Sequence, residues 1–210
     1  MIMKKLVTLT GSYSYPSKTL SLTDTIAHKA VTRYNLLLKK YSMNDLGETL
    51  GLAKEIDDLE DSGKKVVKDL QEADAIIITT PVYKGSYPGL FKHFIDLLDP
   101  ATLYGKPILI AATGGGTRHA LMVEHQLRPL FGFFMAHSLP TAVYASAQDY
   151  SPNNAISSLD LLRRIDQAIE EFSPFIKTTS ENYAENLDFI AEKRLNNLSS
   201  PIEKVGGTRQ

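Results

Sequence analysis

Three short segments hold the residues that could do chemistry. Gly11-Ser12-Tyr13-Ser14-Tyr15-Pro16-Ser17-Lys18-Thr19 is rich in hydroxyls, Pro81-Val82-Tyr83-Lys84 sets an aromatic ring on a stiff backbone, and Thr113-Gly114-Gly115-Gly116 is a glycine run. The first segment leads into a helical pattern. Unpaired N–H groups and the helix dipole at a helix start favour an anion. Ser12, Ser17 and Thr19 add hydroxyl donors there and Lys18 a charge. Ser17 serves equally well as a plain N-cap. In the second segment Pro81, Val82 and Tyr83 suit one edge and face of a flat ring, although a lone tyrosine is more often a strand-end core aromatic. Lys84 reads as a ligand contact or as a solvated charge. In the third segment Thr113, Gly114 and Gly115 let backbone approach a ligand closely, since glycine carries no side-chain barrier. Together the three ask for a flat aromatic ligand with a phosphate. Neither G-x-x-x-x-G-K-[ST] nor G-x-G-x-x-G occurs, which disfavours a nucleoside triphosphate and a dinucleotide pyrophosphate.

Other chemistries are poorly represented. The 210 residues include no cysteine, so disulfides, thiolate metal sites and cysteine nucleophiles are out. His93, His125 and His137 lack metal-ligand spacing, and His119 suits a surface or capping role better than a ligand contact. No Ser/His/Asp set or paired active-site carboxylates stand out, and Asp57, Asp58, Glu60 and Asp61 read as a solvated face. A formal net charge of −1 offers no footprint for nucleic acid or an anionic membrane. The longest apolar runs are too short to span a bilayer and no leader opens the chain, so the expected location is cytoplasmic.

The elements that must position these segments follow from the hydrophobic pattern. Ala75 to Ile78 is a continuous apolar run, the mark of a strand buried on both faces of a parallel sheet. Strands are expected over residues 4–10, 36–42, 75–80, 107–113 and 139–145. Helices are expected over 17–32, 63–72, 88–98, 119–134 and 157–177, with an acidic connector at 44–61. Strand–helix alternation with short links predicts one α/β domain, a doubly wound five-stranded parallel sheet, over 1–177. The three segments then sit at carboxyl ends of strands, where open α/β sheets hold ligands. A tail over 178–210 follows, with Tyr183, Leu187, Ile190, Leu195 and Leu198 at helical spacing. Residues 119–134 carry apolar side chains around much of one helix, more than a single buried stripe needs, and Pro129 should kink it.

From about Lys4 to Phe175 the chain resembles the flavodoxin-like NAD(P)H-dependent FMN reductases. GSYSYPSKT is similar to that family's phosphate loop, TPVYKGSYPGLFKHFIDLL to its flavin loop and following helix, and ATGGGTRHALMVEHQLRPLF to its third flavin loop and interface helix. The last two look most like the branch serving two-component sulfonate and sulfone monooxygenases. The resemblance implies strand order 2-1-3-4-5, FMN and NAD(P)H as the reacting pair, and transfer of reduced flavin to a partner monooxygenase. It places the FMN phosphate at Ser12, Ser17 and Thr19. Pro81, Val82, Tyr83 and Lys84 would line the isoalloxazine, with Thr113, Gly114 and Gly115 at its other edge. Many relatives carry an arginine where this chain has Ser14, so a charged phosphate contact is missing unless Lys18 replaces it. The resemblance further implies a homotetramer or homodimer through residues 119–134, some members having a π-bulge at the position of His125. The competing readings are a quinone or azo-dye reductase that keeps its FMN, a flavodoxin-like electron carrier, and a flavin sensor.

Overall fold

The computed structural model describes residues 3–176. The tail helix expected beyond residue 178 lies outside them. The elements run β1 (Lys5–Thr10), α1 (Lys18–Tyr34), β2 (Leu37–Ser42), α2 (Asp61–Gln71), β3 (Ala75–Pro81), α3 (Gly89–Leu97), β4 (Pro107–Gly114), α4 (Arg128–Phe133), β5 (His137–Ser138), β6 (Val143–Ser146), α5 (Leu159–Glu170) and α6 (Ser173–Ile176). All strand pairs are parallel and the order is β2-β1-β3-β4-β5, with β6 also on β4. This is the flavodoxin-like winding, whose order reverses beside β1 and opens a crevice at the carboxyl ends.

Strand residues alternate between two cores, as a period of two requires. Val7, Leu9, Ile76, Ile78, Ile108 and Ile110 pack towards α2, α3 and α4, where Phe91, Phe94 and Phe131 are fully buried. Leu6, Ile77 and Leu109 face α1 and α5, against Leu22, Ile26, Ile165 and Phe172. β2 is the edge strand and lacks a buried face of this kind, which explains its weak alternation in the sequence.

Two expectations are revised. The fifth strand is two short pieces, because Leu139-Pro140-Thr141 interrupts it: Pro140 has no N–H to give a ladder. Arg128 donates instead to the carbonyls of Ser138, Leu139 and Pro140 at 3.4, 2.9 and 3.0 Å. The last helix is likewise two, α5 and α6, with Pro174 opening the second. In the acidic connector Asp57, Asp58, Glu60 and Asp61 are exposed, as expected, while apolar residues of the same segment are buried. The connector winds through short 3-10 turns that bury Met43, Leu46, Leu50 and Leu59. Glu60 accepts the N–H groups of Glu48 and Thr49 at 2.8 and 3.2 Å, and Asp58 accepts those of Lys54 and Glu55.

The expected helix over 119–134 is composite, with a 3-10 turn at Thr117–His119, a π turn at Val123–Leu127 and then α4. Arg128 N–H bonds back to Val123 O across the wide turn. Pro129 falls where the ladder changes period, so its missing N–H interrupts little. No helix among the described residues is long and apolar enough to cross a membrane.

Candidate functional site

The three loops meet at the carboxyl ends of β1, β3 and β4. Gly11 N–H donates to Thr79 O at 2.7 Å and Val82 N–H to Thr113 O at 2.8 Å, tying each loop stem to its neighbour. Thr19 Oγ1 and Thr113 Oγ1 share a buried hydrogen bond of 2.6 Å, which joins the first turn of α1 to the third loop. The rings of Tyr13 and Tyr83 meet edge to face with centroids 6.2 Å apart.

In the first loop Ser17 is the N-cap, accepting Leu20 N–H at 3.2 Å. The ligand reading and the capping reading of Ser17 are compatible, since its hydroxyl also donates to Ser12 Oγ at 3.1 Å. Ser12 Oγ accepts Ser14 N–H at 3.3 Å as well, and the Tyr15–Pro16 bond is cis. The first-turn N–H groups of α1, at Lys18 and Thr19, have no intrahelical acceptor. Lys18 also has a partner outside the loop: its Nζ lies 5.3 Å from the centroid of the Tyr150 ring, and Tyr150 Oη donates to Lys18 O at 3.0 Å. Burial, then the nearby Asp149, pushes the Tyr150 hydroxyl pKa up, so it stays a neutral donor. Beneath the loop Thr10, Thr23 and Thr79 share their hydroxyls, and Thr23 also donates to Thr19 O at 2.9 Å.

The second loop is a tight hairpin. Tyr83 N–H donates to Ser86 O at 2.7 Å and Ser86 N–H to Tyr83 O at 3.1 Å. Lys84 and Gly85 between them have φ of 52° and 88°, the left-handed pair that a two-residue hairpin turn needs. Pro81 is buried, Val82 half-buried, and Tyr83 and Lys84 exposed. Tyr83 is therefore not a core aromatic.

In the third loop the glycines divide the work. A Cβ on Gly114 would run into Tyr144 Oη, whereas Gly115 and Gly116 have nothing within 4 Å of where a Cβ would stand. Gly114 is thus required by Tyr144, and the backbone open to a ligand is at Gly115 and Gly116. Tyr144, from β6, donates to Gly116 O at 2.6 Å and fixes the loop. Tyr144 and Gln126 were not legible as site neighbours: each reaches the loops through the fold, whereas Tyr13 belongs to the first loop itself. Gln126, in the π turn, bonds Ser86 and Gly85.

All ten sequence-predicted residues, Ser12, Ser17, Thr19, Pro81, Val82, Tyr83, Lys84, Thr113, Gly114 and Gly115, therefore lie in one cluster. Its donors are hydroxyls, backbone N–H groups and the exposed Lys84 ammonium at the second loop, its exposed ring is that of Tyr83, and its glycine backbone is open at Gly115. Such a set fits an anionic group beside a flat ring. Two cavities border the cluster. A cavity of about 740 Å³ lies on one side, against Tyr13, Asn44, Glu48 and Leu90. Another of about 610 Å³ runs from Tyr15 and Ser17 along α1 to His28. Ser17 alone of the ten lines either.

An open flavodoxin-like sheet with this cluster at its carboxyl ends fits a protein that handles a flavin nucleotide. The sequence pattern of the family described as NADPH-dependent FMN reductase matches residues 4–151, and the chain belongs to that family. It is 40% identical over 174 residues to the NADH-dependent FMN reductase SfnF of Pseudomonas fluorescens, covering 83% of this chain and 92% of that one. It is 39% identical to the FMN reductase (NADPH) of Pseudomonas aeruginosa, over 84% of this chain and 95% of that one. Among solved structures, an oxidoreductase of Corynebacterium diphtheriae superposes with a TM-score of 0.73 at 31% identity, covering 83% of this chain and 97% of that one. The protein is an NAD(P)H-dependent FMN reductase, with FMN and NAD(P)H as its reacting pair.

Proposed function

We propose that this enzyme is the reductase half of a two-component system: it reduces FMN with NAD(P)H and gives the reduced flavin to a separate monooxygenase, of the sulfonate or sulfone class that the resemblance suggests. The observation that carries this reading is the neutral grip of the first loop. Among the described residues no cation hydrogen-bonds Ser12 or Ser17, and Lys18 Nζ lies over the Tyr150 ring. A phosphate held by hydroxyls and a helix start binds more weakly than one held by a bidentate arginine. A flavin that must leave needs such a site.

In this reading Ser12, Ser17 and Thr19 hold the phosphate, with the free N–H groups of α1. Pro81, Val82, Tyr83 and Lys84 line the ring, and Thr113, Gly114 and Gly115 border its other edge. The cofactors supply the chemistry, hydride passing from nicotinamide C4 to flavin N5. The side chains orient the rings and need supply no acid, base or nucleophile. NAD(P)H chemistry of this kind suits a cytoplasmic protein.

We also propose assembly into a homotetramer, or at least a homodimer, through residues 119–134. Leu121 and Phe133 support it, being 63% and 69% exposed in a segment that also buries Met122, Val123, Leu127 and Phe131, with Met135, 66% exposed, just beyond it. Light scattering at micromolar concentration should give a multiple of 23.3 kDa. A single-chain mass with activity intact would overturn the assembly.

The functional test is purification followed by desalting. We expect nearly colourless protein that oxidises NAD(P)H only when FMN is added. Yellow protein turning over quinones or azo dyes without added FMN would show a reductase that retains its flavin. Stoichiometric oxidation alone would show an electron carrier.

A further inference from the structure

The second loop leaves the body of the protein at Val82, and its tip is exposed at Tyr83, Lys84 and Gly85. Within itself it has only the reciprocal Tyr83–Ser86 backbone bonds. An isolated two-residue hairpin of this size is marginal in water. Among the described residues one side chain from elsewhere reaches the tip by hydrogen bonding. Gln126 Oε1 accepts the Ser86 hydroxyl, and Gln126 Nε2 donates to Gly85 O at 3.3 Å. Both halves of the amide are used, so the contact fixes direction as well as distance. Gln126 stands in the π turn at Val123–Leu127, the widened segment of its helix, and such turns commonly occur at functional sites. Ser86 and Gln126 are both half-buried, which shields the link from water without desolvating a charge.

We propose that Gln126 is a positioning residue for FMN: its side-chain amide latches the Tyr83–Ser86 hairpin to the π turn and holds Tyr83 where the flavin ring binds. This rests on the functional reading above. The latch touches no reacting atom and acts through the loop. It also places the ring side of the flavin site under the control of the helix on which the assembly proposal rests.

The test compares Gln126→Met, which keeps the length and loses both bonds, with Gln126→Asn, Ser86→Ala and the double variant Gln126→Met/Ser86→Ala. FMN affinity is read by flavin fluorescence quenching, loop order by hydrogen exchange of the Ser86 amide without flavin, and stability by thermal unfolding. Loss of the latch should raise the FMN Kd roughly three- to tenfold, the range one or two net hydrogen bonds cover. Ser86 exchange should quicken, and the unfolding midpoint should hold. Gln126→Asn, one methylene short, should behave like Gln126→Met. The double variant should be no worse than Gln126→Met, because both substitutions cut the same link. Unchanged Kd and exchange in Gln126→Met would overturn the latch. So would additive losses, or a Kd change that only follows a falling midpoint. Wild-type protein that binds no FMN would defeat the functional reading, and the exchange comparison would still decide the latch.

Discussion

At the amino ends of the strands and along α2, charged groups are paired. Lys4 lies 3.4 Å from Asp74, Lys5 bonds Glu72 at 2.7 Å, and Asp69 gathers Lys5, Lys65 and the Tyr41 hydroxyl. At the carboxyl ends of β1, β3 and β4 no residue of the three loops takes part in an ion pair among the described residues. There the contacts are threonine and serine hydroxyls, backbone groups and tyrosine rings. Charges with committed partners stabilise a fold but cannot be lent to a ligand. Neutral donors can meet an anion and release it again without stranding a charge. The two ends thus separate stability from ligand handling.

The largest expected effect tests the charged end. Asp69→Ala strips partners from Lys5, Lys65 and Tyr41 and should cost about 2 kcal/mol of stability at neutral pH, with FMN affinity unchanged. Burial pushes the Asp69 carboxyl pKa up, but Tyr41, Lys65 and Lys5 outweigh it and hold the pKa at about 2, below the ordinary 3.8. Because the folded value is the lower one, this stabilisation is complete above the unfolded value and is lost as pH falls from about 4 through about 2. Acid unfolding followed by circular dichroism should show that loss in the wild type and not in Asp69→Ala. A parallel drop in FMN affinity would break the separation.

Gly114→Val drives a side chain into Tyr144, which must give up its bond to Gly116 O. Overpacking of this kind should cost about 1–2 kcal/mol in denaturant titrations. It should weaken FMN binding too, through the displaced third loop. Tyr83→Ala sharpens the contrast: on the order of 1 kcal/mol of FMN affinity should go, with stability within about 0.5 kcal/mol, since the ring is 38% exposed. Smallest is Lys84→Asn. A left-handed lysine is mildly strained and asparagine tolerates that conformation, so the unfolding free energy should rise by about 0.5 kcal/mol.

Strands β1, β3 and β4, and the loops after them, were legible because each strand is dominated by apolar and β-branched residues and closes on a glycine or proline, Gly11, Pro81 and Gly114. That pattern is local and survives without tertiary information. What escaped was set by partners distant in sequence. Glu60 looks like any exposed acid until the N–H groups of Glu48 and Thr49 fold onto it. Lys18 shows no sign in the sequence of its contact with the ring of Tyr150, 132 residues later. Gln126 has no signature at all, since its partners are Ser86 and Gly85, forty residues earlier in the chain. Pro129 hinted at a disturbed helix and the resemblance implied a π-bulge at His125; the π turn at Val123–Leu127 contains that histidine and precedes the proline.

The interrupted fifth strand has a consequence for how this protein behaves in a crowded solution. A parallel sheet has two open borders, and each could template the strand of another chain. On one side Lys39 and Lys40 of β2 place like charges along the border. On the other, β5 and β6 are two and four residues long, and between them Arg128 occupies the carbonyls of Ser138, Leu139 and Pro140. A foreign strand arriving there finds no continuous row of acceptors to read. The break thus acts as a guard against edge-to-edge aggregation, with Arg128 as its keystone.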